Sequence, residues 1–180
     1  MPRYAATGRI AIIFAPSVAN INAPTAAEIS AGVNLTDYIT RDGLKTPSSG
    51  NTIDAADIGS RFNKTAPGTY GGDAAEITAH RGSKPGASGD DKAWAALPQD
   101  SMGFLIVART GLGQSPTTGL GTKDGKPTTG DRVEVYPVTV ISRAMKEAGN
   151  NETDKFTASL AITGEPTQDA TVAAAGGSGS

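Results

Sequence analysis

Large apolar residues fall in short runs, and in most of them apolar and polar positions alternate with the two-residue period of β-strands. The cleanest case is residues 156–162, where Phe156, Ala158, Leu160 and Ile162 alternate with Thr157, Ser159 and Ala161. Residues 102–109 instead hold Phe104, Leu105, Ile106 and Val107 in succession, as expected of a central strand covered on both faces. A third run at 10–14 lies between Gly8 and Pro16, and residues 73–80 add a further strand. Val133 and Val135 are followed by Val138 and Val140, a phase slip at Pro137. Proline removes a ladder donor, so a bulge or a sheet edge is expected there. Residues 33–39 alternate imperfectly as a strand, and Asp42-Gly43 signals a turn after them.

Two short helices punctuate this pattern. Thr25-Ala26-Ala27-Glu28 has the spacing of a capping box, and Gly32 stands where a left-handed cap would close about two turns. So short a helix is marginal alone, and Ile29 and Ile21 should pack it onto a sheet. Asp90 or Asp91 caps a second helix through Trp94 to Leu97, stopped by Pro98. Residues 45–72 are rich in Gly, Pro and Ser, with Ile53, Ile58 and Phe62 as the large apolar side chains, and read as a long loop. Residues 111–130 read as a flexible Gly and Thr-rich connection.

The sum is a mainly β fold: a β-sandwich or open barrel with one or two short helices and long loops. At 180 residues the chain is one domain. The expected division is an arm at 1–8, a β domain at 9–166 with a long loop at about 41–72, and a flexible tail at 167–180.

Composition explains why the strands are thin. Leu, Ile, Val and Phe number 31 together, against 28 Ala, 23 Gly and 21 Thr, so little apolar area per residue leaves water on folding. A net charge of −2 argues against nucleic-acid binding through a basic face. Without cysteine there is no disulfide frame and no thiolate chemistry. The run at 10–15 is far shorter than the ~20 residues that span a bilayer, and Pro16, Asn20 and Asn22 interrupt it as a secretion signal.

Candidate chemistry fails on spacing. Gly125-Lys126 lacks the upstream Gly of a phosphate loop and is followed by Pro127. Ser115 has no second Gly after it, and Pro116 removes the amide that an oxyanion hole needs. His80 is the single histidine, so a catalytic triad would have to use it. The carboxylate pairs Asp54 and Asp57, Asp73 and Glu76, and Asp90 and Asp91 fit no metal loop. No catalytic residue, metal or cofactor is expected.

Five segments taken in order resemble the major tail tube proteins of long-tailed bacteriophages, especially those of actinobacterial hosts. They are Ala-Pro-Thr-Ala-Ala-Glu-Ile at 23–29, Gly-Val-Asn-Leu-Thr-Asp-Tyr-Ile at 32–39, and the Phe-Leu-Ile-Val strand running to Arg-Thr-Gly at 104–111. Asp-Arg-Val-Glu-Val-Tyr-Pro-Val at 131–138 and Ala-Ile-Thr-Gly-Glu-Pro at 161–166 complete the series.

The resemblance implies a β-sandwich subunit made in the host cytoplasm and placed in the virion tail. It would form hexameric rings with its own kind and stack them into a hollow tube that DNA passes without specific binding. Tape measure and terminator proteins would be further partners. The long loop would bridge stacked rings, which makes Arg41, Asp42, Ile53, Ile58, Arg61 and Phe62 contact candidates. Glu76 and Glu134, on or beside strands, are the candidates for an acidic or neutral lumen. The alternatives are a head-decoration or host-adhesion β-sandwich, and a small hydrolase with His80 in hydrogen-bond reach of a Ser or Asp.

Overall fold

In the computed structural model of the chain, residues 8–55, 65–82, 90–149 and 152–174 are described. The strands are β1 (Ala11–Ala15), β2 (Val33–Asn34), β3 (Ile39–Lys45), β4 (Ser48–Asp54), β5 (Thr65–Gly72), β6 (Ala75–His80), β7 (Met102–Ala108), β8 (Arg132–Lys146), β9 (Lys155–Ile162) and β10 (Thr167–Thr171). Two helices, α1 (Ala26–Ala31) and α2 (Lys92–Ala96), interrupt them. Seven strands form a sheet in the order β2-β1-β7-β8-β9-β6-β3, with β10 joined to β8 and β4 paired with β5 as a separate hairpin.

Chain length forces this sheet to curl. Laid flat, seven strands would put β2 and β3 ~29 Å apart, yet only residues 35–38 connect them, a reach of at most ~18 Å. The two ends of the sheet therefore face each other as an open barrel, the second of the two forms expected. Its core lies between the halves: Ile12, Leu105, Val107, Val138, Val140, Ile77, Phe156 and Leu160 are all buried there. The outer face of β1, β7 and the first half of β8 has a second core of Ile13, Ile106, Val133 and Val135, closed by Ile29 of α1 and by Ala170 and Val172.

This double cover explains the phase slip in β8. Val133 and Val135 serve the outer cluster while Tyr136, Val138 and Val140 serve the inner one, so no bulge at Pro137 is needed and β8 is central. The carbonyl of Pro137 accepts from the Thr163 amide at 2.9 Å. Its missing donor thus falls on the flank where β9 ends and β10 begins. The bulge of β8 comes later, between Val140 and Ser142.

Several local expectations change. The capping box of α1 forms, with the Thr25 amide donating to Glu28 Oε2 at 2.7 Å and the Glu28 amide to Thr25 Oγ1 at 3.3 Å. Gly32, however, is extended at φ −76°, not left-handed. A Cβ there would stand 2.5 Å from Ile13 Cγ2, so close approach to β1 is what requires glycine. The strand read at 33–39 breaks after Asn34 into a turn that buries Leu35. Asp42-Gly43 lies inside β3 at a register shift against β6, a bulge in place of a turn.

Residues 41–72 are not a structureless loop, because β3 fills the start and the β4–β5 hairpin most of the rest. The stretch from Thr167 begins with β10 and continues to Ala173, which bridges Thr25, so the tail read at 167–180 does not start there. The 111–130 connection is fastened by one carboxylate. Asp131, 1% exposed, accepts from the amides of Gly113, Gln114 and Thr128 and from the Thr128 hydroxyl, at 2.8–3.0 Å.

Candidate assembly surfaces

The hairpin continues the β3–β6 ribbon past Pro47 and Asp73, out of the barrel. It pairs from Ser48↔Gly72 to Asp54↔Thr65, with a register shift between Gly50 and Thr52. Every residue of β4 is exposed, including Ile53 at 58%. At its base, Ser49 Oγ donates to Asp73 Oδ1 at 3.3 Å. Two strands without a covered face are marginal in water, so this element is suited to being covered by something else.

The six contact candidates separate. Ile53 stands on the hairpin, whereas Arg41 and Asp42 are exposed on β3 at the rim of a groove floored by Ile10, Ile12, Ile39 and Leu44. Ile58, Arg61 and Phe62 lie outside the described residues.

Both lumen candidates hold a cation. Glu76 points away from the core and pairs with Lys45 at 3.2 Å. Glu134, with a side chain only 14% exposed, is gripped by Arg109 through Nε and, at 2.9 Å, Nη2, and also accepts from the Tyr136 hydroxyl at 2.9 Å. Its hydrogen bond holds the Arg109 proton more tightly than usual. Burial, helped by the neighbouring Glu134 carboxylate, pushes the Tyr136 phenol up.

Sequence reasoning missed a cluster under α2. Asp91 stands at the N-cap position but makes no capping bond; its carboxylate is taken by Arg81, with Nε at 2.8 Å and Nη2 at 2.5 Å from Oδ2. Burial alone would raise this carboxyl, but the Arg81 hydrogen bonds, the Gly82 amide and the charge of Arg143 hold it below the usual range. The guanidinium carbons of Arg81 and Arg143 lie 4.2 Å and 3.9 Å from the centre of the Trp94 ring. Arg143 also donates to the Trp94 carbonyl at 2.7 Å, and Trp94 meets the Phe156 ring edge-on at 5.0 Å. Trp94 is thus the packing anchor that its isolation among alanines suggests. Nothing in the local sequence points to its arginines, which arrive from β8 and the end of β6.

His80 Nδ1 lies 2.7 Å from the Thr153 hydroxyl. Among the described residues, no group of three His, Asp or Glu is placed to hold a metal, and no helix is long and apolar enough to cross a membrane.

A family model for the phage tail tube protein matches residues 1–175. The chain belongs to that family. It is a structural subunit of a phage tail tube and a component of the virion tail. Among solved structures it is similar to the SPP1 tail tube, at 14% identity over 92% of this chain and 79% of that one, with a TM-score of 0.56. A second similar structure is the anti-feeding prophage baseplate, solved with six-fold symmetry, at 10% identity over 96% and 98% of the two chains and a TM-score of 0.51. No curated protein matches the sequence significantly. At these identities the likeness is one of fold.

Proposed function

We propose that six copies of this tail tube protein form a ring and that rings stack into a hollow tube through which DNA leaves the virion without specific binding. The observation that supports stacking most directly is the β4–β5 hairpin, a projecting arm with an entirely exposed first strand and no core of its own. A neighbouring ring would supply the cover it lacks. The six-fold symmetry of the similar baseplate structure supports the ring size.

The bore is neutral to acidic. Each Lys or Arg paired with a phosphate would release counterions and add affinity, holding the genome back. With Lys45 on Glu76 and Arg109 on Glu134, neither candidate presents a free positive charge beside it. Tape measure and terminator proteins are its further partners in the tail, and the host is actinobacterial.

Deleting residues 51–64 tests the stacking role. The segment's described residues, 51–55, contribute none to either buried cluster, and loop-closure entropy changes slowly with length, so the subunit should keep its circular dichroism spectrum and melting temperature. Electron microscopy should then show no tubes. Normal tubes from the deleted protein would place the stacking contact elsewhere.

A further inference from the structure

The ladder breaks where the hairpin leaves the barrel. Pairing of β3 with β6 ends at Lys45↔Glu76, and pairing of β4 with β5 starts at Ser48↔Gly72. Thr46 and Pro47 lie between these pairs on one arm, Asp73, Ala74 and Ala75 on the other. Unequal arms cannot continue one register, and β4–β5 forms a sheet of its own. A cleft of about 940 Å³ opens beside this joint, between the hairpin base and the turn at 163–166, with Tyr136 and Ile162 in its lining. A two-stranded arm beside open space has room to swing, and a swinging arm loses that freedom each time it docks.

Side chains hold the two arms differently. Gly72 lies so close to the end of β9 that a Cβ there would stand 2.5 Å from Ile162 Cδ1, which makes this arm the fulcrum. The hydrogen bond from Ser49 to Asp73 joins one arm to the other. Thr46 is half-buried, and the Tyr136 phenol oxygen accepts from its hydroxyl. Tyr136 itself is locked in the inner core, 4% exposed, and donates to Glu134 at 2.9 Å, whose carboxylate Arg109 clasps. In the sheet, β9 and β6 lie between β8 and β3. The chain from Thr46 through Tyr136 and Glu134 to Arg109 therefore crosses the mouth of the barrel, from the joint to the end of β7.

We propose that the joint at Thr46–Pro47 and Asp73–Ala74 is the hinge of the hairpin, and that Tyr136 is a positioning residue whose hydroxyl, oriented by Glu134 and Arg109, braces Thr46 and fixes the direction in which the hairpin projects. This rests on the stacking role of the hairpin and names what aims it. An arm aimed before contact has less freedom left to lose when a neighbouring ring covers it, so the brace speeds assembly without touching the neighbour.

Because the chain has no cysteine, spin labels at Thr52→Cys on β4 and Thr171→Cys on β10, both exposed positions, report the hairpin's direction in dilute, free subunits through the distribution of distances between them. The labelled pair alone should give one narrow distribution. Tyr136→Phe and Thr46→Val each delete one hydroxyl and keep the shape of the side chain, and either should broaden the distribution about twofold. The melting temperature of Thr46→Val should stay nearly unchanged, Thr46→Ser should restore the narrow distribution, and Glu134→Ala should give an intermediate width. Without labels, Tyr136→Phe and Thr46→Val should form tubes about tenfold more slowly, the scale of one lost hydrogen bond.

Narrow distributions from both hydroxyl deletions would overturn the brace, and a broad one from the labelled pair alone would overturn the aimed hairpin. Glu134→Ala at the narrow width would remove the carboxylate from the brace. Broadened variants that assemble at the wild-type rate would overturn its part in stacking. Wild-type protein that forms no tubes would overturn the stacking reading, while the distance widths in free subunits still decide the brace.

Discussion

At the scale of single residues, two buried carboxylates carry structural duties that their neighbours in sequence do not announce. Asp131 satisfies three amides and a hydroxyl of the 111–130 connection. An unsatisfied buried donor costs about 1–3 kcal/mol, so Asp131→Ala should lower unfolding free energy by roughly 3 kcal/mol or more, read from the urea midpoint; a change within error would show that water replaces the carboxylate. Asp91 has its proton affinity lowered by Arg81 despite burial. A folded-state value below the unfolded one means that the pair's stabilisation is complete at neutral pH and is lost as pH falls through the folded value. Wild-type midpoints should therefore drop more steeply than those of Asp91→Asn between about pH 5 and pH 2. Parallel pH profiles would remove Asp91 from the account.

Among the elements, β9 is where sequence pattern and structure agree best. Phe156, Ala158 and Leu160 are all buried between β6 and β8. Leu160→Asp places a charge opposite Ala75 and Val140 at a cost on the order of 5 kcal/mol, comparable with the whole stability of a small domain. That variant should lack native circular dichroism; a soluble, folded product would mean that the core tolerates water at β9. Alternation made β9 legible because one of its faces is buried and the other wet. The β4–β5 hairpin was illegible for the converse reason: with every β4 residue exposed, nothing in the hydrophobic pattern marks it. Pro137 misled because a one-chain pattern reports burial but not which strand lies on which flank. The Trp94 cluster unites Arg81 with Arg143, residues far apart in sequence that the pairing of β9 with both β6 and β8 brings together.

For the whole molecule, the small core and the exposed margins have one explanation. In the proposed assembly a neighbouring ring covers the exposed β4–β5 hairpin, and burial between copies adds to the small core of the subunit. Such a protein should be modestly stable as a monomer and gain stability with concentration. The order of segments at 23–39, 104–111, 131–138 and 161–166 was sufficient to suggest the family because these are the pieces that build the barrel. The most direct measurement is electron microscopy of the purified, concentrated wild-type protein. The account predicts hollow tubes of stacked rings with a continuous bore; a protein that stays monomeric at high concentration, with no rings or tubes on prolonged incubation, would contradict it.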